Sequence, residues 1–559
     1  MLKFLKFIIF AELFCSAGTA LYLMTLPNPD AVSIIGLGLL SILGLPIYFS
    51  SGIFEDKGRP SRHIGFILFF AGQFVCLISG KSIWLPVFWE LSSIGCLFFY
   101  PDENLLKKSS KSASAFLLSS GLSMFFISLW IFLPDSNFGR TSLLIGLLIK
   151  AAFSGFHVWY PIAHEGAPYY ASASISGIMM NLPMLMIVKF LYADLHTMNV
   201  TTLIMILCGL GIFISGLSSY FAKDIRKSLA YSTIENSNFM ILALVGASIW
   251  GMELKNKEIG DSFLFLFYFG LFHHSISKTF QFLYAGAMTE KAGSTKIDDL
   301  KGIGRTIGIS PILSGIGAFS FALVPGTTGF FLESSFLYLN SKIFDTSSQN
   351  ASVYLLVLFL SLTGLAMGSA FHLKFYLSTA LSTRKADSFL PTSESESASL
   401  RKVFWYLGIL IFSVPVFAGP VAVTLYRLNL MKNWLYTLSA VSLIVMIVSF
   451  LIYRFHLYHT VSKRQIWDCG SNHSGTEVSI PGSVFSDPVY FSVGRYFTSE
   501  EGEPYMEKYM QKYLGRFLNL GRYWIARVES GDVSQYILVS SVTFLFSIFL
   551  IFIFRNYFL

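Results

Sequence analysis

Glu90 lies in the segment WLPVFWELSSIGCLFF, which is otherwise apolar enough to lie inside a lipid bilayer. Lys150, Lys278 and Glu333 occupy similar apolar segments. One charge at the bilayer centre costs ~2.5–3.5 kcal/mol, so four cost on the order of 10 kcal/mol. That sum is comparable to the stability of an ordinary domain. Such residues must face a bundle interior, pair with each other or contact water, and their recurrence indicates an ion or proton path.

Two histidines accompany the second lysine. His274 and Lys278 are four residues apart and share one helix face, so both can line one cavity. His273 is adjacent, and a structural role is the alternative for either histidine. Glu235 lies near the end of a predicted span, where its carboxylate can reach water, and it is a secondary candidate.

The composition predicts an all-α polytopic membrane protein. The chain has 559 residues, of which 54% are hydrophobic and 13% are charged, whereas soluble domains carry about 25% charged residues. The net charge of +8 is spread over short loops, where basic residues act as topology signals. Loops 221–228 and 289–306 are two of these and are expected to face the cytoplasm. We therefore expect a lipid bilayer environment and no nucleic-acid partner.

The cysteines predict no redox centre in this chain. There are five, dispersed along the sequence without a C-x-x-C pair. Iron–sulfur clusters and structural zinc need several closely placed ligands. A nucleotide-binding G-x-x-x-x-G-K-[ST] loop is also absent from the sequence. We expect no cofactor and no metal, so that the energy for transport comes from a gradient or a partner.

Spans of ~20 residues predict about 14–16 transmembrane helices. The expected organisation is N-terminal helices, an antiporter-like core, further core helices, a short extramembrane segment and a final helix. These regions are 1–63, 64–380, 381–456, 457–533 and 534–559.

Two segments have the pattern of broken helices. Residues 155–174 (GFHVWYPIAHEGAPYYASAS) and 324–330 (VPGTTGF) interrupt apolar stretches with proline and glycine. Backbone freed at membrane depth is tolerated only where protein or a water-filled cavity satisfies it. Paired breaks suggest two inverted repeats, approximately 64–220 and 221–380, and the pairs Glu90/Lys150 and Lys278/Glu333 fit such a duplication. His157 and His164 lie in the first break, either as proton carriers or as partners for the freed backbone.

Three runs, in order, resemble the signatures of one family. They are IKAAFSGFHVWYPIAHEGAPYYASASISGIMM, KDIRKSLAYSTIENSNFMILAL and FHHSISKTFQFLYAGAM. They resemble the antiporter-like subunits of respiratory complex I, Mrp-type sodium/proton antiporters and group 4 [NiFe] hydrogenases, over roughly residues 64–380. QIWDCGSNHS and FSDPVYF, nearer the C-terminus, resemble the hydrogenase-4 component B and formate hydrogenlyase subunit 3 branch.

The resemblance implies a proton-translocating subunit and assigns its residues. Glu90, Lys150, His274, Lys278 and Glu333 match the family's proton-transfer positions. A glutamate–lysine pair would control the proton affinity of the lysine, and redox-driven changes next door would make or break the pair. The implied partners are other membrane subunits and a peripheral redox arm, in the bacterial cytoplasmic membrane. The alternative for Glu90 and Lys150 is a static pair that holds two helices together.

One departure from the family pattern bears on pumping. Asn181 stands where the family usually has a lysine, and Pro183 follows in place of a small residue. Loss of this relay position keeps other functions open. They are an Mrp-type cation/proton antiporter subunit, an inorganic-carbon uptake membrane subunit, and an inactive structural anchor. Waters, His157 or His164 are the candidates to replace the missing lysine.

Overall fold

The computed structural model describes most of the chain up to residue 456 and short stretches after it. The described residues are 2–27, 29–54, 60–100, 106–198, 200–307, 309–344, 351–382, 394–456, 483–492, 494–499, 504–505, 508–509 and 512. Within them the fold is helical, and β-structure is limited to isolated bridge residues, which confirms the all-α prediction. The described residues form two compact units, one within 1–202 and 503–559 and the other within 203–502.

The first unit is a bundle of nine α-helices in the described residues, several of them short. They are α1 (Leu2–Met24), α2 (Ala31–Phe54), α3 (Pro60–Ile78), α4 (Trp84–Leu97), α5 (Leu106–Phe132), α6 (Asn137–Lys150), α7 (Trp159–Glu165), α8 (Tyr169–Ser174) and α9 (Asn181–Leu191). Helix α4 packs between α3 and α5, and α5 also packs on α6 and α7. This order brings Glu90 of α4 and Lys150 of α6 to the same helix, α5.

Helices α3 and α4 approach so closely that glycine is required at the contact. A Cβ on Gly95 would lie 2.5 Å from the backbone nitrogen of Phe69 and 2.7 Å from the carbonyl oxygen of Gly65. A Cβ on Gly72 would lie 2.6 Å from the nitrogen of Ser92. Small residues let helix backbones approach in membranes, where packing replaces the hydrophobic effect. The position of α4, and so of Glu90, depends on these glycines.

The break after α6 is built as the sequence predicts. The chain leaves the helix at Lys150, and Ala152 (φ +48°) and Gly155 (φ +95°) turn it through left-handed backbone before α7 begins. The carbonyl of Ile149, in the last turn of α6, accepts from the indole Nε1 of Trp159 at 3.0 Å and from the backbone nitrogen of Ala152 at 3.2 Å. Further along, the hydroxyl of Tyr100 donates to the carbonyl of Ala163 at 2.9 Å. These backbone carbonyls are therefore satisfied within the protein.

An ion pair joins α9 to the start of α2 in the first unit. The ammonium of Lys189 lies 3.2 Å from a carboxylate oxygen of Asp30 and donates to the carbonyl of Leu77 at 2.7 Å. Asp30 precedes α2 and also accepts from the hydroxyl of Ser33 at 2.6 Å. Burial acts to raise the pKa of Asp30, but the Ser33 hydrogen bonds and the Lys189 ammonium outweigh it and lower that pKa.

The second unit is organised around one long helix. Its helices are α10 (Thr201–Phe221), α11 (Ile225–Ser248), α12 (Lys257–Ala292), α13 (Pro311–Phe321), α14 (Thr328–Phe344), α15 (Ala351–Tyr376), α16 (Glu394–Leu425), α17 (Lys432–His456) and α18 (Ser483–Ser492). Helix α12 packs against α11, α13, α14 and α16. It is buried along most of its length, as expected of a helix that is surrounded by others.

The second break, between α13 and α14, also lies where the sequence predicts it. Leu323 (φ +58°) and Gly326 (φ +93°) adopt left-handed backbone between the two helices. The hydroxyls of Ser320 and Thr328 lie 2.9 Å apart and join the end of α13 to the start of α14. Polar side chains therefore bridge the interruption.

The two basic loops of the second unit lie side by side. Asp224 and Lys296 form an antiparallel bridge, and the nitrogen of Ile225 donates to the carbonyl of Thr295 at 2.9 Å. The two loops therefore share one end of the unit, as expected if both face the same side of the membrane. The segment around α18 is attached there, since the nitrogen of Ser483 donates to Asp298 at 3.0 Å.

Nine of the described helical stretches are long and apolar enough to cross a membrane. The other predicted spans correspond to shorter, broken or more polar helices, namely α4, α6, α11, α12 and the α13–α14 pair. The predicted region 457–533 lies outside the described residues except for its short described pieces. The predicted final helix, 534–559, and Cys469 lie entirely outside them. The predicted repeat boundaries stay predictions.

Gly95→Val should destabilise the first unit, because the new side chain would overlap the backbone of α3. Overpacking costs typically ~1–3 kcal/mol, and a backbone contact has little room to relax. We expect a clear fall in the thermal unfolding temperature of the purified chain in detergent. Gly121→Val is the matched control, since a Cβ there meets nothing within 4 Å. Equal unfolding temperatures for the two variants would contradict the close approach of α3 and α4.

Asp30→Asn should lower thermal stability at neutral pH and have no further effect in acid. The folded-state pKa of Asp30 lies below its ordinary value of 3.8. Its ionised form therefore stabilises the fold above the unfolded-state pKa, and this stabilisation is lost as the pH falls through the folded-state pKa. Unfolding curves from neutral to acid pH would show wild type and variant converging. Asp135→Asn, at a side chain that is 98% exposed, should match wild type throughout.

Candidate functional site

Glu90 and Lys150 are joined through two serine hydroxyls. Lys150 Nζ donates to Ser93 Oγ at 3.0 Å, and Ser93 Oγ lies 2.6 Å from Ser120 Oγ. Ser120 Oγ lies 2.9 Å from a carboxylate oxygen of Glu90. All four side chains are buried. The structure therefore brings together the glutamate and lysine that the sequence pairs, with Ser93 and Ser120 between them.

Aromatic rings and tight packing surround this lysine. Lys150 Nζ lies 4.3 Å from the ring centre of Phe116 and 5.9 Å from that of Trp159. Aromatic faces attract a cation, most strongly where water is excluded. A crevice between Lys150 and Pro183 is too narrow to hold a water molecule. The ammonium is thus held by hydroxyl and ring contacts.

The secondary candidates of the first unit are buried but lie in different local settings. His157 and His164 are 7% and 0% exposed, and the ring of His164 lies 4.5 Å from that of Tyr160. The carbonyl of Ile149, at the start of the break, accepts from Trp159 and from the backbone nitrogen of Ala152. Asn181 Nδ2 donates to the carbonyl of Gly177 at 3.0 Å. This bond lies beside a π-helical turn, a feature that is frequent at functional sites.

In the second unit Lys278 interacts electrostatically with Glu235. The sequence predicts Glu235 near the end of its span and pairs Lys278 with Glu333. In the structure Glu235 lies in the interior of α11, 3% exposed, within electrostatic range of Lys278. Glu333, on α14, is partly exposed and lies within electrostatic range of Glu235. The difference arises because α11 packs along α12 and turns Glu235 inward.

A glycine on α15 seats the carboxylate of Glu235. A Cβ on Gly368 would lie 2.3 Å and 2.4 Å from the two carboxylate oxygens. Helices α11 and α15 are in contact. The missing side chain at position 368 therefore leaves the space that this carboxylate occupies.

A polar and aromatic cluster lies beside Lys278 at the second break. His273 Nδ1 lies 3.0 Å from the hydroxyl of Thr328. The ring of Phe321 has its centre 4.5 Å from Lys278 Nζ and 4.8 Å from the centre of the His273 ring. The ring of His372, on α15, stacks on that of Phe321 with their centres 4.2 Å apart. His273 thus joins the lysine cluster through the break.

His274 is fully buried on the same helix. The sequence favours it over His273 because it lies four residues from Lys278. The described contacts of the cluster involve His273, which lies within electrostatic range of Lys278. Both histidines therefore remain candidates, for different reasons.

Sequence reasoning missed several residues of both clusters. They are Ser93, Ser120, Phe321, Gly368 and His372. Serine, phenylalanine and glycine are common in membrane helices and carry no signal of their own. His372 is the one with a detectable signal, since it is a histidine within an apolar span.

A separate pocket lies at the end of the second unit that carries the basic loops. Its volume is about 270 Å³, and its lining includes Lys374, Asp298 and Asp487. Lys374, near the end of α15, is 3% exposed and donates to the carbonyl of Tyr220. The described part of the segment that precedes the predicted last helix thus packs on this end.

The described residues contain no group of three or more His, Cys, Asp or Glu side chains placed to hold a metal ion. The clusters above instead combine lysines, carboxylates, hydroxyls and aromatic rings. Their lysines, carboxylates and hydroxyls can hold and pass protons, and the absence of a cofactor stays a prediction.

Gly368→Ala should displace the Glu235 carboxylate without unfolding the protein. The added methyl would overlap only the flexible end of a side chain, which can move. We expect an unfolding temperature close to that of wild type, together with a changed carboxyl band of Glu235 in difference infrared spectra. Glu235→Gln identifies the band, and Gly38→Ala, at an open position, is the matched control. An unaltered Glu235 band in Gly368→Ala would contradict this seating.

Residues 113–364 match the family model described as "NADH:quinone oxidoreductase/Mrp antiporter, TM". The match includes Lys150, Glu235, Lys278 and Glu333, and Glu90 precedes it. The chain is 25% identical over 333 residues to hydrogenase-4 component B of Escherichia coli (strain K12), covering 54% of this chain and 49% of that protein. It is 27% identical over 284 residues to formate hydrogenlyase subunit 3 of the same strain, covering 50% and 45%. The matched region spans about half the length of these relatives.

Among solved structures, the fold is similar to a chain of the Mrp complex from Dietzia sp. DQ12-45-1b. The TM-score is 0.60 at 16% identity, covering 78% of this chain and 95% of that chain. At this identity the likeness shows the fold alone. The chain is therefore a multi-pass membrane protein whose residues 113–364 match the NADH:quinone oxidoreductase/Mrp antiporter transmembrane model, and it is homologous over about half of its length to hydrogenase-4 component B and formate hydrogenlyase subunit 3.

Proposed function

We propose that this chain is a proton-translocating, antiporter-like subunit of a hydrogenase-4 or complex I-like oxidoreductase assembly in the bacterial cytoplasmic membrane. Its partners would be other membrane subunits and a peripheral redox arm that carries out the electron transfer. The observation that carries the proposal is that each unit buries a lysine close to a glutamate and beside a broken helix. These are Lys150 with Glu90, and Lys278 with Glu235.

The energetics favour a functional role for the buried charges. Each lysine or carboxylate costs ~2.5–3.5 kcal/mol at the bilayer centre. Replacing buried ion pairs by apolar residues is often neutral or stabilising, so stability alone does not require them. Two such clusters in one chain are therefore better explained by proton transfer than by static ion pairs that only hold helices together.

The proposed mechanism depends on the balance between paired charges. A buried ammonium is stabilised by a neighbouring carboxylate and disfavoured without it. A conformational change driven by the partner would alter the contact of Glu90 with Lys150, so that one group gives up its proton or takes one up. Lys278 and Glu235 would respond in the same way in the second unit. His273, His274 and Glu333 would connect that cluster to further proton donors and acceptors.

Asn181 favours a second candidate, an inactive structural anchor. An amide cannot take the place of a titrating lysine, and Asn181 is already bonded to the carbonyl of Gly177. The narrow crevice beside Lys150 is lined by Leu182 and Pro183, so this side of the lysine has no room for a bridging water. The two candidates differ in whether Lys150 moves protons at all.

Lys150→Ala, Glu90→Gln and Lys278→Ala should each reduce proton uptake by at least about a hundredfold, the lower range for a positioned proton-transfer group. The assembly would be isolated through an affinity tag on this chain and reconstituted into vesicles. Uptake would be followed with an enclosed pH indicator under an imposed potassium diffusion potential. Lys81→Ala, at a lysine that is 41% exposed, is the control and should retain wild-type uptake.

Wild-type proton uptake in all three variants, with the assembly intact, would contradict the proposal. The inactive structural anchor would then be the supported function. The same vesicles also test the alternative that the chain is an Mrp-type cation/proton antiporter subunit. In that case a sodium gradient alone would drive proton movement in wild type, and Lys150→Ala would abolish it.

A further inference from the structure

The two serines between Glu90 and Lys150 form a continuous hydrogen-bonded chain across three helices. Ser93 lies on α4, Ser120 on α5 and Lys150 at the end of α6. The three links measure 3.0 Å, 2.6 Å and 2.9 Å from the ammonium to the carboxylate. Each lies within ordinary hydrogen-bond distance.

Ser120 differs from the buried serine next to it in its partners. A helical serine commonly bonds a carbonyl of its own preceding turn. Ser119 does so, since its hydroxyl donates to the carbonyl of Phe116 at 2.7 Å. The partners of Ser120 are instead two side chains, Ser93 and Glu90. Its hydroxyl is therefore placed between the two titratable groups rather than used to close a helix turn.

Ser120 has two acceptors for its single hydroxyl hydrogen, Ser93 Oγ at 2.6 Å and the Glu90 carboxylate at 2.9 Å. Ser93 accepts from Lys150 and Ser120 and donates its own hydrogen to the carbonyl of Trp89 at 3.2 Å, in its own helix. A serine hydroxyl rotates to suit its partners. When Ser120 donates to Glu90 and the Ser93 hydroxyl turns from Trp89 to Ser120, the chain is continuous from Lys150 to Glu90.

We propose that Ser93 and Ser120 are the proton relay between Lys150 and Glu90. This inference rests on the proposed function. In one step Lys150 gives a proton to Ser93 Oγ, Ser93 gives its own to Ser120 Oγ, and Ser120 gives its own to the Glu90 carboxylate. The amine and the carboxylic acid end neutral, each serine keeps one hydrogen, and rotation of both hydroxyls resets the chain. The reverse step returns the proton.

The packing supports hydroxyls as the carriers. The crevice that borders Ser93 and Lys150 is too narrow for a water molecule. Phe116 covers another side of the ammonium at 4.3 Å. The described surroundings of Lys150 thus direct its proton to Ser93.

Ser93→Ala and Ser120→Ala should each slow proton uptake about a hundredfold, because each removes one link. Ser93→Thr and Ser120→Thr keep the hydroxyl and should restore most of the rate. The assay is the vesicle uptake described above, run in H₂O and D₂O. A solvent isotope effect present in wild type and in the threonine variants, and altered in the alanine variants, identifies a relay rather than a packing role.

Ser119→Ala is the matched control, a buried serine next to Ser120 whose bond stays within its own helix. Wild-type uptake in both alanine variants, with Lys150→Ala inactive, would overturn the relay and leave the proposed function intact. Wild-type uptake in Lys150→Ala as well would overturn the proposed function. If an alanine variant fails to assemble, loss of uptake or of the isotope effect in the assembled threonine variant overturns the relay, and their retention supports it.

Discussion

The structure depends on one constraint, that polar groups buried at membrane depth must find partners inside the protein. Both helix breaks obey it. Trp159 donates to the carbonyl of Ile149 at the first break, and Ser320 with Thr328 bridges the second. The same constraint applies to Lys150 and Lys278, which lie beside these breaks and contact hydroxyl, carbonyl and aromatic groups. Polar and aromatic side chains beside each break, together with the carbonyl of Leu229, therefore provide these partners.

Much of this arrangement can be predicted from the sequence because a charge stands out in an apolar segment. Glu90, Lys150 and Lys278 are identified that way, and proline and glycine locate both breaks. The placement of Glu235 cannot be predicted. The Glu235 carboxylate is buried because α12 and α15 both pack on α11, and this packing is not encoded locally. The same limit applies to the partner of Lys278.

The residues between the charges carry no sequence signal at all. Ser93 and Ser120 are two of many serines in apolar helices, and their value lies in the 2.6 Å separation of their oxygens. Gly368 is one of 44 glycines, and only the position of the Glu235 carboxylate distinguishes it. The sequence identifies the groups that can hold a proton, because their residue types are distinctive. The residues that connect these groups, or leave space for them, are identified only by distances in the structure.

The two clusters differ in how the lysine is connected to its glutamate. In the first unit a hydroxyl chain joins lysine to carboxylate, so a proton can cross with side-chain rotation alone. In the second unit the hydrogen bond described for Lys278 Nζ is to the carbonyl of Leu229 at 3.5 Å, and Phe321 covers the ammonium. A carbonyl accepts a hydrogen bond but passes no proton on. Under the proposed function, a proton would pass from Lys278 to Glu235 only after the groups around the ammonium move. Phe321, which covers it, ends α13 next to the break, where Leu323 and Gly326 adopt left-handed backbone.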